Sequence, residues 1–253
     1  MAGSATASDT MSYLRDFDIE SKSLSERRRV TVHLPADDRS RRRCPVLFCA
    51  DGQAVAAFSQ RLTREVESGE APSVILVGVH SSETYRAAEY VVGVDDQRFE
   101  AHERFFADEI YRWASREFRF SASRESCGVF GFSNGGAFAL SMGARHREKY
   151  GVVIAFSIAG GPQLVPESEY ARRPIARYYL SAGTREKPFC KTGRAVANML
   201  RKHGVDHVYT ERCAGHEFNF WDSELAEAIR WSFLPGGKTW LIRLTNALRP
   251  RRW

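Results

Sequence analysis

Gly128-Val129-Phe130-Gly131-Phe132-Ser133-Asn134-Gly135-Gly136 carries more structural information than any other stretch of the chain. Its first half is an apolar, β-prone run, and a helix is expected over 134–146. Between them stands Gly-x-Ser-x-Gly. Glycines and serines are common, and the string alone says little. Placed directly between a strand and a helix, it reads as a nucleophile elbow. Such a turn is so sharp that the residues two positions either side of the serine must be small. It also sets Ser133 at a helix N-terminus, where free N–H groups favour developing negative charge. The alternative is a glycine-rich turn that merely packs closely, and the strand-to-helix context favours the elbow.

The rest of the chain supplies the frame such a turn needs. Strand-like runs lie at about Phe17–Glu20, Arg29–Leu34, Val46–Ala50, Val74–Val79, Gly128–Phe132, Val152–Phe156, Arg177–Ser181 and His207–Arg212. Helical spacing occupies Ala54–Ser68, Phe99–Phe118, Asn134–His146, Lys191–His203 and Asp222–Phe233, with Asp222 placed to cap the last of these. In Phe99–Phe118 the stripe Phe105, Phe106, Ile110, Trp113, Phe118 reads as core. Alternating strands and helices predict an α/β fold, a mostly parallel central sheet with helices on both faces. No repeat or linker divides it. Residues 1–12 are small and polar and are expected to be disordered, 13–235 form the domain, and 236–253 form a basic amphipathic tail.

A chain of 253 residues, 43% hydrophobic and 27% charged, is ordinary for a soluble globular protein. No run is long and apolar enough to span a bilayer. The start has neither the basic nor the apolar region of a secretory signal. Five cysteines without a CxxC pair argue against a disulfide framework, and Cys49 and Cys127 read as buried thiols. A cytoplasmic location follows. No metal site is expected, because His216-Glu217 has no second histidine at zinc-helix spacing. The net charge of +6 gathers at Arg27–Arg29, Arg41–Arg43 and the tail. Without interleaved aromatics or a binding motif, these clusters read as solvated loops, and no nucleic-acid partner is expected.

A nucleophilic serine needs a base, and imidazole titrates in the right range. In this kind of fold the chain order is Ser, acid, His. Of the histidines beyond Ser133, namely His146, His203, His207 and His216, only His216 follows the last strand in a glycine-containing loop. The preceding strand leads into Ala182-Gly183-Thr184-Arg185-Glu186, which makes Glu186 the candidate acid, with Asp206 and Asp222 as alternatives. Oxyanion donors are expected from Asn134, immediately after the nucleophile, and from Gln53 in Asp51-Gly52-Gln53. Gly52 would let the backbone approach the substrate.

The ordered succession Leu47–Gln53, Val77-Gly78-Val79 with Arg86 and Glu89-Tyr90, Gly131–Gly136, and Gly215-His216 with Trp221 resembles the enterochelin esterase-like (esterase D) family. The resemblance runs from about Phe17 to Phe233 and does not include the extra N-terminal domain of full enterochelin esterases. It implies an α/β-hydrolase using Ser133 and His216, with no metal or organic cofactor. Members of that family include siderophore trilactone esterases, S-formylglutathione hydrolases, feruloyl and acetyl-xylan esterases, and mycolyl transferases.

Gly52, Arg86 and Trp221 are the candidate substrate contacts. Only a short segment separates Phe156 from Ile175, so a short lid and an open site are expected, suited to a bulky or polymer-linked ester. Arg86, Arg185 and Lys187 could ring its mouth and attract an anionic ester such as a siderophore. In the tail, Trp240, Leu241, Leu244 and Leu248 recur at helical spacing among basic residues. Such a helix can lie on an anionic membrane, although packing on the domain is the commoner outcome. The expected activity is that of a serine carboxylic-ester hydrolase. Its rivals are an acyltransferase using the same acyl-serine and a non-catalytic ester-binding descendant.

Overall fold

In the computed structural model, which describes residues 13–36, 44–121 and 123–234, every strand-like run becomes a strand. An antiparallel pair comes first, β1 (Tyr13–Ser21) and β2 (Glu26–Leu34). Then follow β3 (Val46–Cys49), β4 (Ile75–Val79), β5 (Cys127–Phe132), β6 (Val152–Phe156), β7 (Arg177–Gly183) and β8 (His207–Arg212). They form one eight-stranded sheet in the order β1-β2-β4-β3-β5-β6-β7-β8. Pairing is antiparallel across β1, β2 and β4 and parallel across the rest.

Strands β3, β4 and β6 are buried at every position, as parallel strands covered on both faces must be. Their alternation divides the core into two. Val46, Phe48, Val77 and Val129 face one apolar cluster, while Leu47, Cys49, Leu76 and Phe130 face the other. The second is closed by Phe58 and Leu62 of α1 (Val55–Glu67) and by Leu225 and Ile229 of α7 (Phe218–Phe233). The first is closed by α2 (Arg86–Tyr90), α3 (Asp96–Arg104), α4 (Tyr111–Glu117), α5 (Asn134–Arg145) and α6 (Lys187–Lys202), through Tyr90, Phe99, Ala114, Phe138 and Val196. Helices thus cover both faces, as the sequence pattern required.

Three helices begin earlier than expected, the one read from Lys191 starting at Lys187. The expected helix over Phe99–Phe118 begins earlier, where the Asp95 side chain accepts from the Arg98 N–H at 2.9 Å. Inside it, Phe105–Ile110 form a π-helical turn. That wider turn lets the adjacent Phe105 and Phe106 both point inward, each fully buried. The last helix begins at Phe218, with Glu217 at its N-cap, so Asp222 does not cap it. Burial of Phe220 and Trp221 draws the helix back by a turn, and Asp222 accepts from Arg61 Nε at 2.7 Å instead. Between β6 and β7 the chain makes only two short 3-10 turns, Pro162–Leu164 and Glu167–Ala171.

Cys44, Cys49, Cys127 and Cys190 are buried, and Cys213 is exposed. Burial pushes the Cys49 and Cys127 thiols up, the latter to about 11, which keeps both unreactive. Among the described residues no helix is long and apolar enough to cross a membrane. The expected disordered start, the Arg41–Arg43 cluster and the basic tail lie outside the described residues.

Buried titratable groups make stability depend on pH. The Glu89 carboxylate accepts from Arg28 Nη1 at 2.9 Å and Nη2 at 2.7 Å, and from Arg98 Nε at 3.0 Å. Burial alone would raise this carboxyl, but the guanidinium contacts outweigh it and hold it near 2. His102 and His33 are buried, and loss of hydration pushes each down to about 4. All three bind protons less readily folded than unfolded, so stability falls as the pH falls. The histidine contribution is lost between pH 6.5 and 4, and that of Glu89 between pH 4.5 and 2. Calorimetry is expected to show Tm dropping by about 10 °C between pH 7 and pH 4.5. A Tm unchanged over that window would mean that the histidines are not held neutral.

Candidate active site

Strand β5 runs straight into Ser133, whose φ of 57° and ψ of −124° are strained for a residue with a side chain. The neighbouring glycines are dictated by contact. A Cβ on Gly131 would lie 2.0 Å from the Gly135 carbonyl oxygen, and one on Gly136 would lie 2.8 Å from that of Phe156. The strained residue is pinned on both sides. Its N–H donates to Phe156 O at 3.0 Å, and Ala159 N–H donates to its carbonyl at 3.2 Å. Its hydroxyl does not cap α5 and is left facing His216, with Oγ and Nε2 3.1 Å apart.

His216 follows β8, and its loop is tied to the loop after β7. Thr184 N–H donates to Arg212 O at 2.7 Å and Arg185 N–H to Ala214 O at 3.0 Å. Across that seam Glu186 Oε2 lies 2.6 Å from His216 Nδ1. Glu186 is only 5% exposed, and its other oxygen accepts from Gly183 N–H at 2.6 Å and Ser157 Oγ at 2.5 Å. An ionised carboxylate only accepts, so Nδ1 carries the imidazole proton and Nε2 turns its lone pair to Ser133. The alternative acids are engaged elsewhere, Asp206 with Arg177 at 3.5 Å and Asp222 with Arg61.

Ser157 is the site residue that the sequence did not single out. It is fully buried at a φ of 46°, donates its O–H to Glu186 Oε1 in a hydrogen bond and accepts the Trp221 indole N–H at 2.9 Å. Nothing in Phe156-Ser157-Ile158 marks that role, because it depends on three separate loops meeting. Trp221, expected to touch substrate, is 7% exposed and stacks on Phe132 with centroids 4.3 Å apart. It braces the acid from behind.

Parallel pairing of β3 with β5 brings the Asp51-Gly52-Gln53 turn to the same sheet edge as Ser133, and Ala50 N–H donates to Phe130 O at 2.9 Å. Asp51 adopts left-handed geometry, with a φ of 55°. Its N–H donates to Tyr90 Oη at 2.8 Å, and its carboxylate accepts from Arg86 Nε at 2.7 Å and Nη2 at 2.6 Å. Arg86 is therefore not a free cation at the mouth. Burial opposes its charge, but the Asp51 bonds win and raise its pKa. Gly52 also has a reason other than access for substrate, since a Cβ there would lie 2.2 Å from Gly78 O on β4. The Gln53 side chain is tied to Ser81, donating to its Oγ at 2.8 Å and accepting its N–H at 3.2 Å. Asn134, half-buried, is the first residue of α5. Arg185 pairs with Glu217 at 3.1 Å, and Lys187 is exposed.

The model of the Esterase family matches residues 21–232. The chain belongs to the esterase family. An acetyl esterase of Caldicellulosiruptor saccharolyticus is 25% identical to this family member over 175 residues, 54% of this chain and 65% of that enzyme. The chain thus spans just under two thirds of the length of that curated relative. Solved structures share the fold at low identity. A ferulic acid esterase from Anaeromyces mucronatus, determined in complex with ferulic acid, has 17% identity and a TM-score of 0.74, covering 90% of this chain and 94% of its own. The enterobactin esterase of Shigella flexneri, determined in the presence of enterobactin, has 19% identity and a TM-score of 0.73, covering 86% of this chain and 58% of its own. These matches bear out the α/β-hydrolase fold and the resemblance to enterochelin esterases.

Proposed function

We propose that this esterase family member hydrolyses carboxylic esters through an acyl-enzyme on Ser133. The observation that carries the reading is the continuous line from Ser133 Oγ to His216 Nε2 at 3.1 Å and from His216 Nδ1 to Glu186 at 2.6 Å. Ser133 Oγ attacks the ester carbonyl while its proton passes to His216 Nε2. Glu186 holds the imidazole tautomer and stabilises the imidazolium. The backbone N–H groups of Asn134 and Gln53 receive the oxyanion. Collapse of the tetrahedral adduct expels the alcohol, which takes the proton from His216. Water then attacks the acyl-serine with His216 again as base, releasing the acid and restoring the serine.

The short β6–β7 segment and a half-exposed His216 favour an ester carried on a bulky group such as a sugar or a siderophore. Because Arg86 is paired with Asp51 and Arg185 with Glu217, attraction of an anionic ester falls to the exposed Lys187. Among catecholate trilactones, feruloyl sugars and acetyl sugars, turnover measured side by side ranks the substrate classes. The decisive test of the mechanism is intact-mass labelling with a fluorophosphonate followed by peptide mapping. One adduct, on Ser133, is the expected result. A folded protein that takes no label would show that the serine is not activated, and would favour a non-catalytic ester-binding role.

A further inference from the structure

His216 sits on an open loop, with 36% of its side chain exposed. The bonds to Glu186 and Ser133 are made by its two ring nitrogens, whose N–H and lone pair point along the ring plane. In-plane bonds hold the ring against sliding, but they resist tilt only through the gradual weakening of bent hydrogen bonds. Contacts perpendicular to the ring do what those bonds cannot. Phe189 lies nearly parallel to the imidazole, with centroids 4.4 Å apart and planes at 22°. Trp221 stands across it at 4.9 Å and 87°. Both are geometries that aromatic pairs favour.

The origin of Phe189 in the chain is informative. Glu186 occupies the N-cap of α6 with Pro188 in the first turn, and Phe189 N–H donates to Glu186 O at 3.0 Å. Proline suits a helix start, and here it fixes the step between the two functional side chains. One turn of chain, Glu186-Lys187-Pro188-Phe189, delivers an acid to the edge of the imidazole and an aromatic ring to its face.

We infer, on the reading of His216 as the base for Ser133, that Phe189 is a positioning residue for His216. Its ring sets the tilt of the imidazole, and its π face stabilises the positive charge that the imidazole takes up with the Ser133 proton. Glu186 at the start of α6 is the charged group bonded to His216, with Arg185 and Lys187 beside Glu186 in the chain and Cys213 and Glu217 on the histidine's own loop. Arg185 and Glu217 pair with each other. Substitution of Phe189 leaves all of these in place.

Phe189→Leu keeps an apolar side chain of similar size and removes the π face, while Phe189→Tyr retains it. With p-nitrophenyl acetate as the probe ester, F189L is expected to lower kcat about 5–10-fold with KM within about twofold. The acid limb of its kcat/KM profile is expected to move down by about half a pH unit. F189Y should return both to wild-type values. A lowered Tm with unchanged kcat and pH profile would make Phe189 merely structural and overturn the assignment. So would a rise in KM alone, which would make it a substrate contact. Fluorophosphonate titration of the wild type separates the two levels. No label at Ser133 brings down the catalytic reading itself. Full label with F189L matching the wild type in kcat and pH profile brings down only the role of Phe189.

Discussion

Replacing Ser133 by Ala is expected to lower kcat for ester hydrolysis by roughly 10⁵-fold or more, leaving only the residual rate that oxyanion donors and binding support. In the proposed mechanism the Ser133 oxygen is the atom that bonds to the acyl group, and no neighbouring side chain can take its place. The buried Cys49 and Cys127 thiols are held protonated, and Lys187 stands exposed beside the acid loop. Alanine also adopts the same positive φ at the same cost, and the backbone bonds to Phe156 and Ala159 remain. Tm should therefore stay within a few degrees of wild type. Steady-state hydrolysis of p-nitrophenyl acetate, with calorimetry on the same sample, checks both. Retention of more than about 1% of wild-type kcat would point to a different nucleophile.

Replacing Glu186 by Gln is expected to cost about 10³–10⁴-fold in kcat, with KM changed by no more than a few-fold. The surroundings dictate how the amide would sit. Gly183 N–H and Ser157 O–H are both donors aimed at Oε1, so the Gln oxygen must face them. Its NH₂ group then points at His216 Nδ1, which must act as acceptor. The imidazole proton moves to Nε2, where it blocks uptake of the proton from Ser133. Glu186→Asp should lose less, since it keeps a carboxylate but shortens its reach. A Glu186→Gln enzyme with near-normal kcat would remove Glu186 from the mechanism. Asp206 and Asp222 offer no substitute, being held by Arg177 and Arg61.

The elbow was legible because its demands are local. Small residues flank the serine since their own turn would otherwise clash, and the strand before it and helix after it are written in hydrophobic periodicity. His216 was legible because strand order leaves one histidine at the C-terminal edge of the sheet. Glu186 could be narrowed to one of three carboxylates, but choosing among them needed the 2.6 Å contact. Arg86 was visible as a charge, while its neutralisation by Asp51 was not. That pair forms between residues far apart in the chain, where no periodicity records it.

The α/β architecture, the place of the strand-to-helix turn and the loop that carries His216 are written in the sequence, because each follows from local backbone sterics and from apolar spacing. Tertiary structure alone decided which carboxylate meets the imidazole, that Ser157 and Trp221 brace that carboxylate, that Phe189 covers the imidazole face, and that Gly52 is glycine for the sake of β4. These depend on side-chain directions where separate loops converge at one sheet edge. Hydrogen bonds of under 3 Å and close ring contacts there are properties of the assembled fold.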